Sequence, residues 1–167
     1  MPAPQDRLDA TDARLVQALT DDPRATVMAL SQRLGLARNT VQARLTRLEA
    51  GGLLTPFESR VRPEALGYRL GAYVTVQVVQ RGLEEVAAAL AALPEVLEVT
   101  ALSGAADLLV RVVAVDADDL WRLTEQVLAL PGVERTDTAL ALRRYVDHRV
   151  GPLLERAAGG DRPADQR

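Results

Sequence analysis

The second half of the chain repeats itself, and that repeat restricts the possible fold more than any other feature. Leu83, Val86, Leu90 and Leu93 recur as Leu120, Leu123, Val127 and Leu130. Each set has the i, i+3, i+7, i+10 spacing of one apolar helix face. Each runs directly into a stop and a strand, Leu93-Pro94-Glu95-Val96 and Leu130-Pro131-Gly132-Val133. Each also follows a run of alternating or β-branched residues, Tyr73 to Val79 and Leu108 to Val115. The resulting order is β-α-β-β-α-β, a split βαβ or ferredoxin-like unit. Units of this kind serve as dimerisation modules and small-molecule sensors as often as enzymes, so the first half has to decide between them.

Composition removes several classes of function. The 167 residues include no Cys and one His, His148. Disulfides, thiolate chemistry and Cys-ligated metals are excluded, and a His-based metal site or triad has almost no route. No metal and no cofactor is therefore expected. No unbroken apolar span approaches ~18 residues, so no transmembrane helix is expected. The polar start, Met1 to Asp12, does not read as a signal peptide, and a cytoplasmic setting is expected.

The net charge of −3 is unevenly spread. All 20 basic residues are Arg, and six of them lie between Arg33 and Arg62 against only Glu49 and Glu58. A basic island thus sits in an otherwise acidic chain, and distribution matters more than the sum for nucleic acid binding.

The island coincides with a helical pattern. Thr11 and Asp12 are helix-start residues ahead of Leu15, Val16 and Leu19, and Asp21-Asp22-Pro23 stops that helix. Thr26 is placed to cap a second helix with Val27, Leu30 and Leu34 inward. Gly35 then supplies the left-handed residue of a sharp turn. A third helix runs from about Arg38 to Ala50, with Val41, Leu45 and Leu48 inward and Gly51-Gly52 at its end. A short hairpin over Leu53 to Val61 follows, interrupted by Pro56. This is a helix-turn-helix with a wing. A helical wheel turns Asn39, Gln42, Ala43, Thr46 and Arg47 outward, with Arg38 and Arg44 at the flanks. Arg pairs bidentately with guanine, and Asn or Gln with adenine, in the major groove. Arg60 and Arg62 on the wing are placed to meet phosphates. A packing module with a solvated polar face has similar helices; the Gly35 turn, the wing and the local charge together favour DNA.

With these residues in view, the chain resembles the Lrp/AsnC (feast/famine) family of transcription regulators from about Leu8 to Val146. The likeness is carried by 30–36 (LSQRLGL), 40–54 (TVQARLTRLEAGGLL), the hinge 63–68 (PEALGY), 104–109 (GAADLL), 130–133 (LPGV) and 136–138 (TDT). It implies an α+β chain: an N-terminal winged helix-turn-helix at 1–55, a wing and hinge at 56–70, and a ferredoxin-like βαββαβ effector and oligomerisation domain at 71–148. A C-terminal helix and polar tail fill 149–167. It implies double-stranded DNA as a partner, for which the helical wheel and the wing offer Arg38, Asn39, Gln42, Ala43, Thr46, Arg47, Arg60 and Arg62 as the contacts. It implies homodimers assembling into tetramers or octamers, with an amino acid or related metabolite between subunits near Gly104, Asp107, Thr136 and Thr138. No membrane and no catalysis is implied.

Two departures stand out. A capping residue is usual in the family where this chain has Ala37, and losing such a cap costs ~1 kcal/mol, so a late or frayed start to the third helix is expected. The family turn Gly-Asp-Tyr-Asp here reads Gly104-Ala105-Ala106-Asp107, which removes a carboxylate and an aromatic from the expected pocket. Asp107 then either receives a ligand ammonium or shapes its turn.

Two rival readings remain at this level. Some proteins on this two-part scaffold are tetrapyrrole decarboxylases, which use His and Arg at the subunit boundary. A DNA-binding regulator that responds to no small molecule is the other. One face of the first strand, through Ala72, Val74, Val76 and Val78, should pack the two helices. The second face, with Leu109, Arg111, Val113, Leu140 and Leu142, is too apolar for water and should be covered by a second chain. The segment Arg149 to Ala158 is the alternative cover. Trp121 is expected to pack or to meet a neighbouring subunit, His148 to lie on the surface, and the tail 159–167 to be disordered.

Overall fold

The computed structural model describes residues 8–54, 61–79 and 82–159. The chain forms two compact units, one of residues 1–57 with 146–167 and the other of residues 58–145.

The first unit is helical. Helix α1 spans Ala10–Asp21, α2 Val27–Leu34 and α3 Arg38–Ala50. The start of α1 lies earlier than Thr11 and Asp12 suggest. Asp9 is the N-cap, its carboxylate accepting from the Asp12 N–H at 2.8 Å while Asp12 accepts from the Asp9 N–H at 2.9 Å. Two orphan donors of the first turn are satisfied reciprocally, as in a capping box. Thr26 caps α2 as expected, accepting from the Ala29 N–H. Gly35 ends α2 at φ 65°, ψ 33°, a conformation that costs an L residue roughly 1–2 kcal/mol. Leu15, Ala18, Leu30, Val41 and Leu48 form the buried centre, where each large side chain is worth roughly 1.5–3 kcal/mol. Residues 55–60, most of the hairpin expected over Leu53 to Val61, lie outside the described residues, as does the tail beyond residue 159.

Near the C-terminus the chain forms a further helix of this unit. Val133–Leu140 is the last strand, and α6, Gly151–Ala158, follows it. It packs against α1 and buries Leu154, so the segment considered as a cover for the sheet belongs instead to the first unit.

The second unit is the expected βαββαβ. Strand β1 (Leu70–Val78), α4 (Leu83–Ala91), β2 (Val96–Ala101), β3 (Leu108–Ala114), α5 (Ala117–Leu128) and β4 (Val133–Leu140) follow in order. The sheet order is β2-β3-β1-β4, with every neighbour antiparallel. Ala72, Val74 and Val76 alternate onto one face with Leu108, Val110 and Val112, under Val86 and Leu90 of α4 and Leu123 and Val127 of α5. The repeat visible in the sequence is thus the pair of helices that seals this face. Gly132 precedes β4 at φ 93°, a strained conformation for an L residue, and an added Cβ there would come to 3.2 Å from Val86 Cγ2, so a side chain would also have to push that methyl aside.

The other face carries Tyr73, Thr75 and Gln77 beside Leu109, Arg111 and Val113. Leu140 does not join it. Leu140 pairs with Ala72, and directly paired residues share a face, so its side chain lies on the helix side at the edge of the core. Leu142 lies beyond the last strand at 88% exposed and belongs to neither face. Trp121, 68% exposed, joins neither hydrophobic core among the described residues.

Candidate nucleic-acid interface and effector turn

Helix α3 begins at Arg38 although Ala37 offers no side-chain cap. The expected late start does not occur, because the backbone closes the first turn by itself, the N–H groups of Thr40 and Val41 both reaching the Ala37 carbonyl at 3.0 and 3.1 Å. Val41 and Leu48 are fully buried and seat the helix on α1 and α2. Arg38, Asn39, Gln42, Ala43 and Thr46 are exposed. At about 100° per residue, Asn39, Gln42, Ala43 and Thr46 fall within one arc of about 100°, opposite Val41 and Leu48.

Arg47 departs from the outward orientation expected of it. Its guanidinium turns back and donates to Asp12 at 2.5 Å. Arg44 donates to Asp12 at 2.7 Å and to Asp9 at 2.6 Å. Asp12 is fully buried, the one buried charged side chain among the described residues. A buried carboxylate must be paired and hydrogen-bonded to be tolerated, and three donors converge on this one. Burial pushes the neighbouring Asp9 carboxyl up, but the Asp12 N–H and the Arg44 guanidinium outweigh it and hold Asp9 below its ordinary value. The sequence marks Asp12 only as a helix-start residue; that it closes a box with Asp9 and lies under α3 depends on the folded backbone and a tertiary contact. Arg60 lies outside the described residues. Arg62 is exposed, precedes the 3-10 turn Pro63–Leu66 as its N-cap, and belongs to the second unit.

In the second unit the turn 102–107 is tied to β1 at several points. The Asp107 N–H donates to the Val76 carbonyl at 3.0 Å, and the Leu102 N–H to the Asp107 carbonyl at 2.8 Å. The Asp107 carboxylate accepts from the Val78 N–H at 2.8 Å, and Gln77 Nε2 donates to the Ala105 carbonyl at 2.6 Å. The backbone ladder between β1 and β3 ends at Val76 and Leu108, so the Asp107 side chain acts as one further acceptor along it. Gln77 was not singled out by its sequence context; only the fold brings it to this turn. Gly104 has φ 156° with open space where a Cβ would stand.

Thr136 and Thr138 pair with Val76 and Val74, which places both on the helix side of the sheet, Thr138 exposed and Thr136 half-buried. Asp107 and Thr136 therefore lie on opposite sides of β1, roughly 10 Å apart by two strand spacings. One chain does not bring the four expected effector residues together.

Two family descriptions match this architecture. Residues 8–49 match the AsnC-type helix-turn-helix domain, and residues 71–151 match the Lrp/AsnC ligand binding domain. The HTH-type transcriptional regulator FL11 of Pyrococcus horikoshii is 32% identical over 146 residues, covering 87% of this chain and 97% of its own.

The chain belongs to the Lrp/AsnC family.

It is accordingly a transcriptional regulator with a helix-turn-helix and a ligand-binding domain, and tetrapyrrole decarboxylation is not favoured. The proline dehydrogenase transcriptional activator of Rhodobacter capsulatus is 32% identical, covering 85% of this chain and 95% of its own. Among solved structures, a transcriptional regulator of Neisseria meningitidis in complex with L-Met aligns at TM-score 0.74 and 26% identity, over 88% of this chain and 99% of that one. AsnC of E. coli aligns at TM-score 0.78 over 87% and 99%; at 22% identity it supports the fold alone. No described helix is long and apolar enough to cross a membrane.

Proposed function

We propose that this Lrp/AsnC protein reads double-stranded DNA with the exposed arc of α3 and that a small metabolite modulates it. Arg38, Asn39, Gln42, Ala43 and Thr46 meet base edges, Arg47 lies at the rim of the contact, and Arg60 and Arg62 hold phosphates. The observation that carries this reading is the exposed polar arc on a helix whose opposite side is fully buried. Selection of bound sequences from a random pool by the purified protein tests it. Gln42→Ala should cost ~1–3 kcal/mol at one operator position and relax the preference there. Arg62→Ala should weaken all sequences alike and lower the salt slope by ~1. A protein that selects no sequence overturns the reading.

The effector proposed is an apolar amino acid or a bulkier relative, bound between subunits near Gly104, Asp107, Thr136 and Thr138. The L-Met complex of the Neisseria meningitidis neighbour supports the class. The separation of Asp107 from Thr136 within one chain supports a site completed by a second one. The part of the sheet face left exposed around Tyr73 supports a homodimer, assembling further to a tetramer or octamer. Tyr73 is the probe for that face, since it is 40% exposed whereas Val113 is already buried at 7% within its own unit. Tyr73→Asp should shift sedimentation towards the monomer without lowering the melting point much. A wild-type monomer at high concentration overturns the dimer.

A regulator without a metabolite is the second reading, favoured by the engagement of Asp107 and Gln77 inside the turn. Calorimetric titration with the common amino acids separates the two. A regulatory rather than catalytic role, in the cytoplasm, completes the proposal. The intact polar arc of α3 and the single, exposed His148 support it.

A further inference from the structure

Helix α3 is seated on its unit by one apolar stripe, Val41 and Leu48 buried and Leu45 half-buried against the same core, and its N-cap Ala37 adds no side-chain bond. Apolar contact is non-directional and does not by itself fix the rotation of a helix. The directional restraint is the ion cluster on one flank. Arg44 and Arg47 lie about 60° apart around the helix, between the buried stripe and the exposed arc. Both guanidinia converge on the same buried carboxylate of α1, Arg44 through Oδ1 at 2.7 Å and Arg47 through Oδ2 at 2.5 Å. The remaining acceptor capacity of Asp12 is directed by the Asp9 N–H, and Asp9 in turn holds Arg44.

We propose that Asp12 is the positioning residue of the reading helix: it sets the rotation at which Asn39, Gln42 and Thr46 face the groove, and it withholds Arg44 and Arg47 from phosphate. This rests on the reading of α3 as the DNA-contacting helix. The two functions follow from the same geometry. Planar guanidinium groups bonded to a fixed carboxylate are directional, so a roll of the helix breaks them. The four charges of Asp9, Asp12, Arg44 and Arg47 also cancel, so two of the six Arg between residues 33 and 62 are spent inside the fold.

Asp12→Asn in the full-length chain is the test, with a selected operator, a scrambled duplex and a salt series as probes. Loss of packing alone would weaken both duplexes and lower the salt slope with them. A positioning role has a different signature. The preference for operator over scrambled duplex should fall about tenfold or more, while scrambled binding is kept or strengthened. The dependence of log K on log salt should steepen by about 1–2 as Arg44 and Arg47 become available to phosphate, at ~0.9 per contact. Should Asp12→Asn fail to fold, the triple variant Asp12→Asn, Arg44→Gln, Arg47→Gln removes the charges together and leaves none buried and unpaired. It should fold and bind with the same loss of preference but without the steeper slope. Full operator preference in either folded variant overturns the positioning role. The Gln42→Ala result keeps the two proposals apart: altered preference in Gln42→Ala with none in Asp12→Asn sinks only this inference, and a wild type without preference sinks both.

Discussion

Helix α3 and the turn at 102–107 solve the same problem in opposite ways. On the function proposed above, each presents polar groups to a partner while staying in place. On α3 the tasks are divided among residues. Arg44 and Arg47 hold the helix through Asp12, Val41 and Leu48 seat it, and Asn39, Gln42 and Thr46 are exposed and face outward. In the turn the tasks fall on the same side chains. The Asp107 carboxylate, the group best suited to a ligand ammonium, already accepts the Val78 N–H, and Gln77 already donates to Ala105. A divided site tolerates change in its reading residues at small cost to stability. A shared site does not, and a ligand reaching Asp107 must either use its second oxygen or displace a bond of the sheet.

The largest effects should come from the supports common to both. Leu48→Ala and Leu123→Ala each remove a fully buried side chain, one from each unit, at ~2–5 kcal/mol. Differential scanning calorimetry should show each substitution lowering the stability of its own unit, Leu48→Ala with loss of DNA binding. If both variants lose DNA binding and ligand binding together in one transition, the two regions do not act as separate supports and the comparison breaks. Next in size is Asp107→Ala, which removes the acceptor of the Val78 N–H and should cost ~1 kcal/mol. Hydrogen exchange at the Val78 amide should accelerate in Asp107→Ala and change less in Asp107→Asn, which keeps an acceptor. Unchanged exchange in both would mean that the carboxylate is free for a ligand after all. Gln42→Ala is the contrasting measurement, with a melting point within the error of the wild type.

A similar increment of opposite sign is expected from Ala37→Ser, which supplies α3 with the side-chain cap it lacks and should stabilise the first unit by ~1 kcal/mol. Chemical denaturation measures it, and no gain would show that the Ala37 backbone geometry does not suit capping. The smallest effect concerns acid. The folded-state pKa of Asp9 lies below its unfolded value near 3.9, so its contribution is present above about pH 4 and fades as pH falls towards the folded value. Asp9→Asn should therefore flatten the loss of stability below about pH 4 while leaving the slope near pH 6 unchanged. Half-exposure of the Asp9 side chain keeps this effect modest.

Much of this architecture was legible in the residues because it is written in local periodicity. The paired helices Leu83–Ala91 and Ala117–Leu128, the Thr26 cap and the Gly35 turn each depend on neighbours within a few positions. What escaped the sequence is what depends on contacts across it. Asp12 looks like a surface helix-start residue until α3 is laid over it. Arg47 looks like a groove-reading residue until its partner 35 positions earlier is found. Leu140 was placed on the wrong face because its orientation depends on the register against β1, where a bulge at Gln77/Val78 interrupts the count. The expected effector residues are the least legible, since the fold sets Asp107 and Thr136 on opposite sides of β1, a separation that only strand order reveals.

The return of α6 to α1 has a consequence for how the protein comes into being. A ribosome releases the first unit in two instalments, α1 to α3 before the ligand-binding unit and α6 after it. The ligand-binding unit, continuous from 58 to 145, can complete its fold in between. The helix-turn-helix unit of this regulator is therefore begun before the ligand-binding unit and completed after it, and a chain cut or still tethered between the two carries a complete ligand-binding unit before it carries a finished helix-turn-helix one.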